Sequence, residues 1–240
     1  MSASERKKVW YLRHIDLFAS MTDDEIEEVA QLLDDHYLPA GAELLGERRR
    51  DRVFLIKTGA VRLGTDAPQR QVTFALLGPG RLFGLSSAIG DDDPQISATT
   101  LLPSYVCFAT WPKLLEVFVQ YPQVMAKMMA ALAEQVFRAE SWRERLQVDS
   151  PRHRLATLLV ELCDEFGEPT SDGQRIRFRL TQADLARMIG LSRETVNRVM
   201  AEFDRCGWVT REGGLLVVRD RPALARHDGE GGNTLPNPKS

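Results

Sequence analysis

Residues 180–203, LTQADLARMIGLSRETVNRVMAEF, constrain the fold more than any other part of this 240-residue sequence. Apolar residues recur there at helical spacing in two blocks, which predicts two short helices. Gly190 separates the blocks and can adopt the positive φ of a tight turn, while the small Ala186 lets two helices cross closely. Thr181 and Ser192 each stand where a side-chain oxygen caps a helix start. The segment therefore predicts a helix-turn-helix.

The second of these helices has one apolar side and one polar side. Its inward positions are Val196, Val199, Met200 and Phe203, and its outward positions are Arg193, Glu194, Asn197 and Arg198. In a DNA major groove, Arg can donate twice to guanine, Glu can accept from cytosine and Asn suits adenine. A charged helix face is more often simply solvated, so the prediction of base reading depends on the whole motif.

A hairpin is predicted directly after the two helices. Residues 207–210 and 215–218 are apolar and flank the turn sequence 211–214, REGG. Such a hairpin forms a wing beside the helices, and a helix-turn-helix with a wing is typical of proteins that bind duplex DNA. The net charge of the whole chain is −3, but basic residues outnumber acidic ones in residues 151–226, as expected of a part that meets a polyanion.

The chain before this motif changes its apolar period twice. A helix is predicted over 17–33, where Thr22 and Glu25 form a capping box. Short apolar runs separated by Gly, Pro and Asp turns follow at 43–45, 53–57, 60–63, 72–77 and 105–109. Several short strands at close spacing predict an antiparallel β-roll. Farther on, 167–173 reads as a turn-rich connection, and 175–180 alternates apolar and arginine residues.

Residues 122–148 contain neither Pro nor Gly and predict one long helix. A narrow apolar stripe on it is formed by Val124, Met128, Leu132, Gln135, Ala139 and Trp142. A second copy of the helix would cover such a stripe in a coiled coil. The alternative is that the stripe packs on the roll. We favour the dimer seam because the stripe continues beyond the reach of a roll of this size.

The predicted fold is therefore α+β: an N-terminal antiparallel β-roll of the jelly-roll type, a long dimerisation helix and a C-terminal winged helix-turn-helix. The domains are expected at 14–121, 122–148 and 150–225, with a disordered tail at 226–240. Cys107, Cys163 and Cys206 fit neither a disulfide framework nor a metal site and are expected to be buried thiols. No signal peptide or membrane-spanning run is visible, which favours a cytoplasmic protein without membrane contact.

The order of these parts, with IGLSRETVNRVM in the second helix and FLIKTGAVRL and LLGPGRLFG in the roll, resembles the CRP/FNR transcription regulators over residues 14–222. The resemblance implies a homodimer joined through the long helix that binds double-stranded DNA. Arg193, Glu194 and Arg198 match the family's base-reading and groove-contacting positions, closest to the cyclic-AMP receptor branch, which implies a palindromic site with TGTGA-like halves. The expected DNA-contacting residues are Thr181, Gln182, Ser192, Arg193, Glu194, Thr195, Asn197 and Arg198.

The resemblance also identifies residues 83–100, FGLSSAIGDDDPQISATT, as the place where the fold cradles a phosphate. The candidate pocket residues are Gly84, Leu85, Ser86, Ser87, Ile96, Ser97, Ala98 and Ala139. Leu85 stands where cyclic-nucleotide-binding members have Glu, Ile96 (or Gln95) where they have Arg, and Ala139 near their long-helix hydroxyl. Without a cation the phosphate loses its charge-assisted hydrogen bonds, and the aspartates 91–93 would repel it. We therefore do not expect control by cAMP.

Other effectors find little support in the sequence. No cysteine precedes Cys107, whereas the oxygen-sensing members of the family carry an N-terminal cysteine cluster for an iron–sulfur centre. A haem needs an axial ligand, and His14, His36 and Cys107 are the only candidates in the roll. The roll is expected either to hold a non-standard ligand, with help from arginines 48–50, or to hold none. No metal or cofactor is predicted.

Two further classes of function are alternatives to a DNA-binding regulator. No nucleophile, base and orienting group occur together, no phosphate-binding glycine motif follows a strand, and no His/Cys spacing suits zinc, so an enzyme is not expected. A cyclic-nucleotide-binding module that acts through protein contacts is the other alternative. The resemblance implies a surface for RNA polymerase at 168–174, as in an activator.

Overall fold

The computed structural model describes residues 3–45, 51–67, 70–89, 96–148 and 150–226. The chain divides into two compact units, Met1–Glu140 and Ser141–Ser240. The predicted α+β class is confirmed, with antiparallel sheets and helices in both units. No helix in the described ranges combines the length and the apolar character needed to cross a membrane. The predicted tail beyond Arg226 lies outside the described residues.

The first unit places helices before and after an antiparallel roll. Its elements are α1 (Ala3–Arg13), a 3₁₀ turn (Asp16–Phe18), α2 (Asp23–Leu32), β1 (Asp34–Leu38), β2 (Arg52–Thr58), β3 (Val61–Ala67), β4 (Arg70–Leu77), β5 (Leu82–Phe83), α3 (Leu85–Ile89), β6 (Ile96–Thr100), β7 (Ser104–Thr110), α4 (Trp111–Gln120) and the first part of α5 (Pro122–Val148). One sheet has the order β1-β7-β2-β5 and the other β4-β3-β6. Every pairing in both sheets is antiparallel.

Strand β2 is buried on both faces and links the two cores of this unit. Phe54 and Ile56 point between the sheets, where they join a core that includes Val106. Val53 and Leu55 point to the opposite face, where they pack against the helices. A strand with two buried faces needs an apolar residue at nearly every position, which explains the unbroken run VFLI.

Several local predictions for this unit hold and others fail. The capping box is present. Thr22 Oγ1 accepts from the Glu25 amide, and the Thr22 amide donates to Glu25 Oε2. The predicted helix 17–33 is wrong at its start: a 3₁₀ turn occupies Asp16–Phe18 and α2 begins at Asp23. The run 43–45 forms only an isolated bridge to Thr99. Helix α1 and strands β1, β5 and β6 were not predicted.

The second unit, described to Arg226, surrounds a small sheet with helices. Its elements are α6 (Pro151–Phe166), β8 (Gly167–Thr170), β9 (Gly173–Ile176), α7 (Gln182–Ile189), α8 (Arg193–Arg205), β10 (Val209–Glu212), β11 (Leu215–Val218) and α9 (Arg221–Arg226). The strand order is β10-β11-β9-β8. Ser150 caps α6 by accepting from the His153 amide at 3.2 Å. The predicted wing is therefore one half of a four-stranded sheet.

Two predictions for the second unit require correction. The turn-rich connection 167–173 is a β-hairpin, because β8 pairs with β9 along its whole length. The alternation at 175–180 is visible as burial, with Ile176, Phe178 and Leu180 buried. However, strand β9 ends at Ile176. Residues 177–180 keep the alternating orientation but are not paired with another strand, since they lead into the cap of α7.

Burial distinguishes the three thiols. Cys107 in β7 and Cys163 in α6 are buried, as predicted, and desolvation raises the pKa of Cys107 to about 12 and that of Cys163 to about 11. Cys206 follows the last turn of α8 and is only partly buried, so the prediction is wrong for this residue. A raised pKa keeps the two buried thiols protonated and unreactive near neutral pH.

The close approach at Gly84 provides a test of this fold. Gly84 has φ +87°, and a Cβ there would lie 2.5 Å from the carbonyl oxygen of Arg52, whereas Gly41 has φ +83° and open space around it. Either Gly→Ala substitution should cost about 1–2 kcal/mol in backbone strain. Gly84→Ala should lose a further 1–3 kcal/mol or so because the neighbouring strand must move. Urea unfolding of both variants measures the difference, and equal losses would contradict the close approach.

Candidate nucleic-acid interface

Helix α7 begins and ends at residues that fix its geometry. Thr181 Oγ1 accepts from the Asp184 amide at 3.1 Å, and the Thr181 amide donates to Asp184 Oδ2 at 2.8 Å. At the other end Gly190 adopts φ 62° and ψ 39°, the left-handed conformation that favours glycine. The Leu191 amide then donates to the Ala186 carbonyl at 3.0 Å. The predicted turn is confirmed, and it aims the chain into α8.

Helix α8 is held at its start by a cap and along one side by apolar packing. Ser192 Oγ accepts from the Thr195 amide at 3.1 Å and lies 2.9 Å from the Thr195 hydroxyl. All four predicted inward residues are buried: Val196, Val199, Met200 and Phe203. The opposite face of the helix must therefore point to solvent.

Two basic residues of α6 stabilise this arrangement from beneath. Arg152 forms an ion pair with Glu202 and lies over the rings of Phe203 and Trp208, 5.7 and 5.3 Å from their centroids. Arg154 Nη1 donates to the Ile189 carbonyl at 3.1 Å, at the end of α7. Both arginines are engaged in contacts within the protein, so they are not available to bind a ligand.

The outward face of α8 carries charges without partners. Arg193, Glu194 and Arg198 are exposed, and their side chains make no hydrogen bond or ion pair with any other described residue. Nearby charges behave differently: Arg187 donates to Asp184 at 3.1 Å, and Arg205 donates to a carbonyl of its own helix. The unpaired groups thus concentrate on the face that was predicted to read bases.

This face is also concave at the start of the helix. A depression of about 400 Å³ is lined by Ser192, Arg193, Glu194 and Asn197. The depression brings together a hydroxyl, a cation, a carboxylate and an amide. These are the donor and acceptor types that read base edges and phosphates.

The eight predicted contact residues fall into three groups. The hydroxyls of Thr181, Ser192 and Thr195 take part in the caps described above. Gln182 and Asn197 bind each other, with Gln182 Nε2 donating to Asn197 Oδ1 at 2.8 Å. Only Arg193, Glu194 and Arg198 are fully unengaged, so the sequence prediction did not separate supporting residues from reading residues.

The wing stands beside this face and is tied to the loop before α7. Strands β10 and β11 are joined by the turn at Gly213 and Gly214, shorter than the predicted 211–214. Arg211 Nη2 donates to the Leu180 carbonyl at 2.9 Å, and Arg179 Nη2 donates to the Gly213 carbonyl at 3.3 Å. Sequence reasoning assigned no role to these two arginines, although the alternation at 175–180 marked Arg179 as outward.

The phosphate-cradle residues of the roll have mostly structural contacts. Leu85 starts α3 and packs against the core between β2 and the helices of the first unit, which we call the helix-side core. Ile96 packs against the core between the two sheets. Ala98 is fully buried, and Ser97 Oγ donates to the Gly64 carbonyl at 3.3 Å. Ser86 is exposed. The structure does not describe the side chains of Ser87 and Ala139. It does not describe arginines 48–50 or aspartates 91–93 at all.

The three haem-ligand candidates occupy unrelated environments. His14 is exposed, with Nδ1 2.7 Å from the Trp10 carbonyl, and the His36 ring lies 5.1 Å from that of Phe108. Cys107 is fully buried, with Sγ 3.8 Å from the Leu55 carbonyl. Over the described ranges, no three His, Cys, Asp or Glu residues are grouped so that they could hold a metal.

Helix α5 runs unbroken for 27 residues, as predicted, but its apolar stripe is used differently. Val124 and Met128 are buried in the helix-side core of the first unit, so the dimer-seam prediction is wrong for these two residues. Leu132 packs partly against the same core, and Gln135 is half-buried. The side chains of Ala139 and Trp142 are not among those described. A different set of apolar side chains is exposed: Met125, Met129, Val136 and Phe137.

Comparison with known proteins matches both units to family models. Residues 153–227 match the Crp-like helix-turn-helix domain, and residues 35–121 match the cyclic nucleotide-binding domain. A CRP-like cAMP-activated global transcriptional regulator of Mycobacterium tuberculosis is 27% identical over 212 residues, covering 88% of this chain and 95% of the relative. The transcriptional activator protein anr of Pseudomonas aeruginosa is 29% identical over 170 residues, covering 70% and 69%.

Solved structures agree on the fold. The structure of FixK2 from Bradyrhizobium japonicum has a TM-score of 0.69 at 23% identity and covers 83% of this chain and 99% of its own. Together with the two domain matches and the unpaired charges on α8, these likenesses define the class of protein. The chain belongs to the CRP/FNR family and is a DNA-binding transcription regulator.

Proposed function

We propose that this regulator binds a palindromic DNA site as a homodimer in the cytoplasm, without enzymatic activity and without control by cAMP. The observation that carries the proposal is the set of unpaired charges on α8, Arg193, Glu194 and Arg198. A surface that binds a charged, hydrogen-bonding partner needs charged side chains that are exposed and have no partner within the protein. These three residues meet that condition, whereas many of their charged neighbours are paired.

The chemistry of this face fits TGTGA-like half-sites. A guanidinium can donate to both O6 and N7 of guanine, and a carboxylate can accept from N4 of cytosine. Arg193 and Glu194 are neighbours at the first turn of α8, so they can read adjacent base pairs on opposite strands. Arg198, one turn farther along, is placed to reach a base or a phosphate. A two-fold dimer would repeat these contacts about one helical turn of DNA away.

Dimerisation is proposed through the exposed apolar face of α5. Met125, Met129 and Val136 lie within about 40° of one another around the helix axis, and Phe137 extends the patch. Val136 and Phe137 are 58% and 69% exposed, which is unfavourable for side chains of this size unless a partner covers them. This face replaces the Val124 and Met128 seam, because the roll already covers those two side chains.

Control without cAMP is supported by what the cradle residues already do. Leu85 and Ile96 are partly buried and pack against the two cores of the first unit, and neither can supply the acid or the base that a cyclic nucleotide uses. The Ser97 hydroxyl is hydrogen-bonded within the sheet. The residues described at this site therefore do not fit a cyclic nucleotide. A non-standard ligand, haem or a redox signal remains the alternative, as does a module acting through protein contacts.

Activation through RNA polymerase is part of the same proposal. The region 168–174 belongs to the β8–β9 hairpin, whose strands are mostly half-buried, and Arg175 of this hairpin pairs with Glu168 at 2.6 Å. A rigid hairpin with charged side chains offers a defined surface for a protein partner. Because the hairpin belongs to the DNA-binding unit, its position on a promoter would be fixed by the base contacts.

Base reading by α8 is tested by Arg193→Ala and Glu194→Ala. Each good bidentate base contact is worth about 1–3 kcal/mol, so Arg193→Ala should weaken binding to the selected palindrome about 5- to 150-fold. Glu194→Ala should relax the preference at one base pair. Gel-shift titration against specific and scrambled duplexes measures both. The control is Arg205→Ala, in the last turn of the same helix, and intact specific binding by both test variants would refute the assignment.

The dimer face is tested by Met129→Glu and Val136→Glu. A carboxylate at the centre of an apolar interface must be desolvated without a partner, so both variants should be monomeric at concentrations where the unmodified protein is a dimer. Sedimentation velocity measures the change. Val119→Glu is the matched control, because Val119 is 84% exposed and belongs to α4 rather than to α5. Dimers of unchanged stability in both α5 variants would rule out the proposed seam.

Independence from cAMP is tested by titration of the purified protein. A ligand shifts a DNA-binding equilibrium only through different affinities for the two states, so a ligand that does not bind shifts nothing. We expect no calorimetric binding of cAMP up to about millimolar concentration, unchanged DNA affinity and no visible absorption band. The M. tuberculosis cAMP-activated relative serves as the positive control. Micromolar cAMP binding, or DNA binding that requires cAMP, would overturn this part of the proposal.

A further inference from the structure

The two helices of the DNA-binding motif are connected by one side-chain pair on their exposed surface. Gln182 is the first residue of α7, and Asn197 lies on the outward face of α8. Gln182 Nε2 donates to Asn197 Oδ1 at 2.8 Å, although the two residues are 15 positions apart in the chain. Gln182 is half-buried and Asn197 is exposed. The pair therefore joins a partly fixed amide to one that faces the groove.

This bond sets the orientation of the Asn197 amide. A side-chain amide has an acceptor oxygen and a donor nitrogen on opposite branches of one plane. With Oδ1 held toward Gln182, the Nδ2 group points away from α7 and toward the space in front of α8. Asn197 also lines the depression formed with Arg193 and Glu194. Asn197 thus presents hydrogen-bond donors next to the two residues proposed to read bases.

We propose that Gln182 is a positioning residue that determines which base Asn197 can recognise. The inference rests on the proposed DNA recognition by α8 and specifies the chemistry of one further base contact. An asparagine free to rotate would form the bidentate pair with adenine, using Oδ1 for N6 and Nδ2 for N7. Held by Gln182, Asn197 instead favours guanine or thymine, whose hydrogen-bonding groups in the major groove are all acceptors, over adenine and cytosine, which carry an amino donor there.

The orientation can be reversed by one substitution. Gln182→Glu removes the donor at position 182 and leaves a carboxylate that only accepts. Asn197 must then turn its Nδ2 toward residue 182, which exposes Oδ1 to the groove. The preferred base at this position should change from guanine or thymine to cytosine or adenine. A residue that only supported the fold would alter stability or overall affinity and would not exchange one base preference for another.

The experiment compares binding of the full-length protein to duplexes that differ at single base pairs of the selected half-site. Asn197→Ala identifies the contacted base pair, because discrimination there should fall by about fivefold or more. Inverting that base pair exchanges guanine for cytosine, or thymine for adenine, on the strand that Asn197 contacts, so the orientation that the unmodified protein prefers should be the one that Gln182→Glu disfavours. Asn197→Asp keeps the acceptor for Gln182 but loses the donors, so it should lose the preference for guanine or thymine.

The control for charge is Ala183→Glu, which puts a carboxylate in the same turn of α7 but about 100° around the helix. It should weaken DNA binding in a salt-dependent way and keep the base preference of the unmodified protein. Three outcomes contradict the inference: no change in discrimination in Asn197→Ala, no preference of the unmodified protein between the two orientations of that base pair, or the same preferred orientation in Gln182→Glu. Failure of the proposed function is a different result, because the unmodified protein would then select no DNA sequence.

Discussion

Burial of one side of α8 is the constraint on which the functional surface depends. Val196, Val199, Met200 and Phe203 form one unbroken buried stripe. Burying each such side chain contributes about 1.5–3 kcal/mol, whereas turning a guanidinium such as that of Arg198 into the core would cost several kcal/mol. The rotation of the helix about its axis is therefore fixed by the core. The cation–π contacts of Arg152 with Phe203 and Trp208 support this packing from the side opposite the groove.

Local signals in the sequence predicted the elements of this surface. Elements that depend on pairing with distant parts of the chain were not predicted. Thr181, Gly190 and Ser192 act on residues three or four positions away, so their effect can be read from spacing alone. Strand β1 has the sequence DDHYL and owes its existence to pairing with β7, about 70 residues later. The hairpin β8–β9 likewise looked like a loop, because Gly and Pro residues are rare in strands unless a partner fixes them.

The site shows the same division. The spacing of α8 identified its outward residues, but it could not show which of them are already bonded. Gln182 and Asn197 meet only because the turn at Gly190 brings the start of α7 beside α8. On α5, two apolar stripes coexist, and periodicity cannot tell which one the roll covers. Val124 faces the first unit's core and Met129 faces outward, a difference set by the docking of the roll.

The start of the predicted phosphate cradle separates the backbone contacts that fix its shape from the side chains that would bind a ligand. Gly84 must remain small because the Arg52 carbonyl approaches it, and this contact holds the turn before α3 in place. The backbone at the start of this segment is thus fixed by the packing between β2 and β5. The ligand chemistry of such a cradle depends instead on side chains such as Leu85 and Ile96, which here extend the two cores. Substituting these side chains with apolar residues adds packing to the roll without disturbing the backbone that forms the turn. The side chains at these two positions can therefore differ in chemistry while the backbone of the turn before α3 stays the same.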